Sequence, residues 1–325
     1  MSKAAMRELP QDAIDSALAL LGEDRFAETL QLLSRVAADF PAEPILHILQ
    51  GVAAQAGGHR REGMEHFWRA LAIAPQEAGA RLAIAEATVS QPTAPTSKDF
   101  SLASGERQIA GKIADIRADH RARYAAVARW LREHMPPARL RLGLDVFCGN
   151  GYGSRMIADR AGGRVVGIDG SPEAVAMAEQ YFGNHRTLFT QAIFPFTLTE
   201  RLFDFAVSLE SVEHVDDPVG FLRQIAQATD GPLFISVPRE ETLPYQTNRD
   251  LFAHHTRHFT RDEIYAVLAE IGRPVIAAEW GQTVYRLKKQ RLDGLLPAEM
   301  MGLTPLEPDS QFLIAVACPA GWTSP

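Results

Sequence analysis

The 325-residue chain contains only two cysteines, Cys148 and Cys318, which stand 170 positions apart in apolar surroundings. A disulfide-stapled scaffold is thereby excluded, and the reading is of a reducing, cytoplasmic compartment. Long hydrophobic runs are also missing: the longest, Phe312 to Cys318, is seven residues, about a third of what a membrane span requires. The start, MSKAAMRELPQDA, carries a lysine and an arginine with no apolar segment behind them, so no secretory signal is expected. A large positive charge is absent as well. The net charge is −7, which argues against a protein whose whole surface grips phosphate backbones and makes a nucleic-acid partner an unfavoured expectation. What is present, 46% apolar and 22% charged residues, is the composition of globular protein long enough for two domains.

The first ninety residues carry only helical signals, with Ala-rich apolar periodicity broken at Gly22, Pro41, Gly57-Gly58 and Pro75. Aligning Pro41 with Pro75 gives a 34-residue period that superimposes Thr29 on Gly63, Leu33 on Phe67, Val36 on Ala70 and Ala17 on Gly51. This small-large-small series resembles two tetratricopeptide repeats followed by a capping helix near residues 77–89. The resemblance implies a groove for a protein partner or a substrate carrier, with a packing or dimerisation appendage as the alternative. The stretch 91–104, rich in Pro, Ser and Thr, reads as a linker. The domain boundaries are therefore 1–90 for a helical domain, 91–104 for the linker and 105–325 for the remainder. Residues 105–143 hold 9 basic and 4 acidic side chains, whereas 144–325 hold 15 and 23; a solvated helix face accounts for the basic stretch.

From residue 140 onward strands and helices alternate. Strands are expected at 140–147, 164–169, 187–191, 203–209, 232–237, 275–279 and 312–318, with helices starting near Gly153, Ser171, Asp217 and Thr260. Such alternation predicts an α/β fold with a mainly parallel, doubly wound sheet, preceded by the all-α repeat domain. Ligands in such sheets bind beyond the carboxyl ends of the strands. There the first strand ends in Asp145-Val-Phe-Cys-Gly149-Asn-Gly151-Tyr-Gly153, whose glycines allow a tight turn and close backbone approach. Asp169 closes the second strand twenty residues beyond Gly149, placed to accept from ribose hydroxyls. The spacing is not that of a dinucleotide site, because Ser154 stands where its third glycine would be.

Asp145 four residues before Gly149 completes Asp-x-x-Cys-Gly-x-Gly, and with it the chain resembles the class I S-adenosylmethionine-dependent methyltransferases. Within that class it is similar to the ubiquinone-biosynthesis enzymes and the type 11 and 23 group. The resemblance runs over about residues 119–280 and rests also on Arg123-Tyr124, Val166-Gly-Ile-Asp169, Phe203–Glu210, Glu213-His214 and Ser236-Val-Pro238. It implies S-adenosyl-L-methionine as cofactor, Gly149 and Gly151 against its methionine part, Asp169 on its ribose, and Asp145 ordering the turn or meeting the amino group through water. Tyr124 belongs to the same cofactor-binding set. Where the family has an Asp after the third strand, this chain has Gln191, whose amide can accept from and donate to the adenine.

Glu210, Glu213 and His214 leave the fourth strand at i, i+3, i+4 spacing, which predicts two carboxylates and an imidazole on one helical face. They are the candidate catalytic residues, with His214 as general base. Resemblance to enzymes that use Glu-x-x-Glu-His as metal ligands adds an alternative, a Mg²⁺ or Mn²⁺ site of Glu210, Glu213, His214 and one later histidine among His254, His255 and His258, with His258 the first candidate. The connections 239–258 and 285–311 are long enough to shape an acceptor pocket. The expected reaction is O-methylation of a sugar, glycan or small hydroxylated metabolite. The sugar preference comes from similar enzymes that carry an Arg-Tyr helix and the turn Gly151-Tyr-Gly-Ser154. A metal-dependent RNA 2′-O-methyltransferase and a non-catalytic, cofactor-sensing scaffold are the competing readings.

Overall fold

The computed structural model describes residues 9–90, 108–137 and 141–323. The chain divides into two compact units, Met1–Thr88 and Val89–Pro325. Among the described residues the first unit is all helical: α1 (Gln11–Gly22), α2 (Phe26–Asp39), α3 (Pro44–Ala56), α4 (Arg60–Ile73) and α5 (Ala78–Thr88). Successive helices pack as hairpins, and the 34-residue register is visible in the packing. Gly51 is small because a Cβ there would lie 2.3 Å from the Phe67 ring, and Ala17, Leu33, Leu46 and Ala70 are fully buried.

The unit boundary differs slightly from the expected one. Val89–Ser90, read as the end of the helical segment, form a strand, β1, paired antiparallel with Thr197–Leu198 (β5), so these residues belong to the second unit. Two β-branched or small polar residues after an Ala-rich helix suit an edge pairing, but the periodicity of the preceding helix masks them. The linker 91–104 lies outside the described residues.

The second unit continues with α6 (Ala118–His134), β2 (Leu142–Val146), α7 (Tyr152–Ala161), β3 (Arg164–Asp169), α8 (Pro172–Phe182), β4 (Thr187–Gln191) and β6 (Phe205–Leu209). It is completed by α9 (Pro218–Ala228), β7 (Leu233–Pro238), α10 (Tyr245–Asn248), α11 (Arg261–Glu270), β8 (Val275–Gln282), β9 (Tyr285–Lys288), β10 (Arg291–Leu295), β11 (Leu303–Thr304) and β12 (Phe312–Cys318). Eight strands form one sheet in the order β11-β8-β12-β7-β6-β2-β3-β4. From β4 to β7 neighbouring strands are parallel, while β12 runs antiparallel to both β7 and β8. Every residue of β2, β6, β7 and β12 is buried, as strands covered on both faces must be.

Local chemistry sets the helix starts. Ser171 Oγ accepts from the Ala174 amide, Asp217 Oδ1 from the Gly220 amide, and Thr260 with Glu263 forms a reciprocal capping box. The chain leaves β2 for β3 and β4 on one side and later returns to β6 on the other. The order therefore reverses between β2 and β6, and a crevice opens at their carboxyl ends. The connection 285–311 is more ordered than its sequence suggests, folding back as the β9–β10 hairpin and the edge strand β11.

Candidate active site

At the exit of β2 the backbone turns through three left-handed residues, Phe147, Gly149 and Gly151, with φ of 60°, 57° and 84°. The two glycines do different work. A Cβ on Gly151 would sit 2.5 Å from the Phe189 ring, so packing forbids a side chain there, whereas a Cβ on Gly149 would project into open space. That open space is the cradle a ligand can fill. Gly149 donates its amide to Asp169 Oδ2 at 2.9 Å, and Asp169 Oδ1 accepts from the Ser171 amide at 2.9 Å, so the carboxylate at the end of β3 is fixed beside the glycine turn.

Asp145 lies fully buried one strand away. It accepts from Ser154 Oγ at 2.6 Å and from Tyr124 Oη at 3.3 Å, while burial pushes its carboxyl up to about 7. Ser154, noticed in the sequence only as the residue that breaks a dinucleotide pattern, is thus the partner of the motif's aspartate. Asn150 is fully buried, donates to the Ala110 carbonyl at 2.8 Å, and keeps its Oδ1 without a hydrogen-bond partner. Gln191 ends β4 with its amide donated to the Gly170 carbonyl at 3.1 Å. The Cys148 thiol is pushed well up by burial, so it supports no nucleophilic role.

Across the reversal point, Glu210 follows β6 with a left-handed φ of 52°. Val212–His214 then form a single 3-10 turn, so the expected helical face carrying Glu210, Glu213 and His214 does not exist. Glu210 instead turns toward β7 and α6: its Oε1 accepts from Ser236 Oγ at 2.8 Å and its Oε2 lies 3.5 Å from Nη1 of Arg123. Arg123 is itself buried, donates Nε to Gln282 Oε1 at 2.6 Å, and stacks over the Phe312 ring at 4.5 Å. Burial raises the Glu210 carboxyl.

Glu213 is fully buried and neither carboxylate oxygen has a hydrogen-bond partner. Burial, reinforced by the charge of Glu210, pushes its carboxyl well up. One ligand atom each from Glu213, His214 and His255 lie within 4.8 Å of one another. The imidazoles are held by a ladder of hydrogen bonds. His258 Nδ1 lies 2.6 Å from the Leu243 carbonyl, which can only accept, so Nδ1 carries the proton and Nε2 of the neutral ring accepts from His255 Nδ1 at 2.9 Å. Burial lowers His258 to about 4 and His255 to about 2, so both are neutral near pH 7. The lone pair of His255 therefore resides on Nε2. His214 Nδ1 donates to the His254 carbonyl at 3.0 Å, which likewise places its lone pair on Nε2 in the neutral form.

The structure brings Glu213 and His214 together with His255 from the histidine cluster. Glu210 is turned away toward Ser236 and Arg123, and His258 stands one step behind His255. In a run of three histidines within five positions the sequence alone does not say which one faces inward. Arg123, Ser236 and Gln282 were not foreseen at this site. Arg123 and Ser236 left a signal, in the Arg123-Tyr124 pair and in Ser236-Val-Pro238; Gln282 left none.

Residues 144–231 match the family profile described as a methyltransferase domain. Two Mycobacterium tuberculosis proteins, from strains CDC 1551 / Oshkosh and ATCC 25618 / H37Rv, are each named a probable S-adenosylmethionine-dependent methyltransferase. Each is 26% identical over 152 residues, 44% of this chain and 55% of the relative. The chain therefore spans about half the length of the curated relatives it matches. Among solved structures, the magnesium protoporphyrin IX methyltransferase of Synechocystis PCC 6803 with bound S-adenosylhomocysteine is 20% identical, covering 66% of this chain and 90% of that one at a TM-score of 0.46. The complex of the Haloferax volcanii Trm112 methyltransferase activator with a methyltransferase gives 21% identity, 62% and 91% coverage and a TM-score of 0.47. The family match falls on the strands that build the glycine turn, Asp169 and the Glu213-His214 turn, and with the two relatives it supports an S-adenosylmethionine-dependent methyltransferase domain over residues 144–231.

Proposed function

We propose that the protein transfers the methyl group of S-adenosylmethionine to an oxygen of a hydroxylated acceptor, with a sugar, glycan or small metabolite as the acceptor class. The observation that carries this reading is the adjacency of two differently built ends. The open glycine turn with Asp169 lies beyond β2 and β3, and the Glu213-His214-His255 group lies beyond β6, the direct neighbour of β2 in the sheet. In the reaction the acceptor oxygen bonds to the methyl carbon as the carbon–sulfur bond breaks and its electron pair passes to sulfur. The protein must align the acceptor and dispose of its proton.

Gly149 presents its backbone to the methionine portion, Asp169 accepts from the ribose, and Asp145 holds the turn from below. Glu213, His214 and His255 fit a divalent cation: one buried carboxylate lacking any hydrogen-bond donor and two imidazoles whose Nε2 atoms carry lone pairs. A cation bound there would lower the pKa of an acceptor hydroxyl. Two imidazoles favour Mn²⁺ over Mg²⁺, which prefers an all-oxygen shell. The same three residues support an RNA 2′-hydroxyl as the second acceptor class. The sugar preference rests on resemblance to enzymes that carry the Arg123-Tyr124 helix and the Gly151-Tyr-Gly-Ser154 turn, and the acidic net charge weighs against RNA. The helical unit is the docking element for a protein partner or substrate carrier, and two buried, unpaired cysteines support action in the cytoplasm.

Calorimetry with S-adenosylmethionine, S-adenosylhomocysteine and NAD tests the cofactor assignment, with micromolar binding of the first two expected. Absence of binding, or tighter binding of NAD, overturns it. Acceptor pools screened with labelled cofactor, with and without chelator, test the chemistry. Titration of wild type and His255→Ala with Mn²⁺ tests the cation site independently of turnover. Activity that survives both chelation and His214→Ala removes every catalytic role for this group.

A further inference from the structure

Among the described residues the hairpin β9–β10 pairs with no other strand, and it is two-faced. Its register sets Leu292 opposite Leu287 and Leu295 opposite Tyr285, so Tyr285, Leu287, Leu292 and Leu295 share one face. Arg286, Lys288 and Arg291 occupy the other, with Lys288 opposite Arg291, and β10 also carries one acidic residue, Asp293. The turn residues Lys289 and Gln290 are both left-handed, with φ of 51° and 63°, giving a tight two-residue tip that adds a fourth cation. The apolar face is only half covered: Tyr285 and Leu292 pack on the cluster around Phe252 and Phe312, while Leu287 and Leu295 remain 37% and 44% exposed.

The hairpin is rigidly based and close to the site. Asn248 of α10 grips it at the turn and at β10, donating to the Gln290 carbonyl at 3.0 Å and accepting from the Leu292 amide at 3.2 Å. Tyr285 at its root lies 6.1 Å, ring to ring, from Phe252, which in turn lies 4.8 Å from His255. One turn beyond Asn248, Leu251 is 56% exposed, although Phe252 beside it is buried. Exposed aliphatic side chains beside a cluster of cations, on a two-stranded ribbon anchored at its base, is the composition of an interfacial contact.

We propose that this ribbon docks tip-first on an anionic lipid surface, with Leu287 beside the tip entering the headgroup region and Lys288, Lys289 and Arg291 at the tip meeting lipid phosphates. The charge is complementary to such a surface even though the whole chain is acidic. That contrast is why the attraction is confined to the ribbon. A nucleic acid is less well suited, because the exposed apolar groups are aliphatic and offer no ring on which a base could stack. The consequence for the site is that an acceptor carried by a lipid would meet the Glu213-His214-His255 group from the membrane side. The lipid contact itself does not depend on the reaction proposed above.

The test uses the full chain and vesicles of phosphatidylcholine with and without phosphatidylglycerol, scored by co-sedimentation at low and high salt. Wild type is expected to bind the anionic vesicles, to release at high salt and to ignore the neutral ones. The triple variant Lys288→Glu, Lys289→Glu, Arg291→Glu should lose at least about tenfold in affinity, since several near-surface cations each contribute. Leu287→Ser should weaken binding without altering its salt dependence. Unchanged thermal unfolding shows that both variants are folded. Three results overturn the proposal: no binding of wild type to anionic vesicles at low salt, equal binding by the triple variant, or charge-dependent binding of a single-stranded oligonucleotide with no vesicle binding.

Discussion

His258 donates its Nδ1–H in a hydrogen bond to the Leu243 carbonyl at 2.6 Å and thereby decides where the lone pair of His255 points. A carbonyl that only accepts fixes one tautomer, and that tautomer fixes the next.

Replacing His258 by Phe keeps a ring in the space but removes the acceptor for His255 Nδ1. The expected result is a loss of about 10–100-fold in Mn²⁺ affinity, the usual consequence of removing an outer partner of a ligating histidine. Calorimetric titration of the folded variant checks it. His258→Gln, which can accept from His255, should recover part of the loss; equal weakening by Phe and Gln would leave His258 as packing alone.

The two glycines of the turn should separate binding from folding. Gly151→Ala places a methyl against Phe189 and Ala178 at a left-handed φ and should cost about 2–4 kcal/mol of stability, read by urea denaturation. Gly149→Ala meets open space, so its stability should fall only by the left-handed penalty of about 1–2 kcal/mol, while S-adenosylmethionine binding is lost. The reverse pattern would place the cofactor elsewhere.

Much of the candidate site is legible in the sequence, for a physical reason. Asp145, Gly149, Gly151 and Asp169 act through backbone geometry and strand ends, and the spacing of such residues is itself the signal. Strands β3, β4 and β12 were bounded correctly because they are apolar runs closed by turn residues. The i, i+3, i+4 spacing of Glu210, Glu213 and His214 implies a helical face, whereas the chain exits β6 through a left-handed Glu210 and a 3-10 turn. No local pattern distinguishes His255 from His258, since their difference depends on the distant Leu243 carbonyl. The hairpin at 285–295 was obscured by its bulge and its charges, which break the alternation expected of a strand.

Arg123 joins elements far apart in sequence, binding Gln282 and approaching Glu210 and Asp119 from a position 2% exposed. Arg123→Met should cost about 3–5 kcal/mol, because Gln282 Oε1 and the Glu210 carboxylate lose their buried cationic partner. Arg123→Lys should recover only part, as the single ammonium cannot reproduce the fork that serves both. Chemical denaturation of the three proteins orders them, and a Lys variant as stable as wild type would show that charge alone matters.

Asp145 gives a pH signature. Its folded carboxyl lies at about 7 against an ordinary value of 3.8, raised by burial and opposed by hydrogen bonds from Ser154 and Tyr124. A raised carboxyl means that the fold favours the protonated form. Its contribution is therefore fully present below the unfolded value and is lost as pH rises through 7. Wild type should lose on the order of 3–4 kcal/mol from this group between pH 4 and 8, a shift of about three units at 1.36 kcal/mol each. Asp145→Asn, which cannot ionise, should be spared that loss, so the stability difference between the two should shift toward the variant across this range. The proposed cofactor brings an ammonium group whose positive charge favours the ionised carboxylate. Binding at pH 6 should then release a proton from wild type, seen as a buffer-dependent calorimetric enthalpy, and none from Asp145→Asn. Identical buffer dependence in the two proteins would detach Asp145 from the cofactor and leave it a purely structural partner of Ser154.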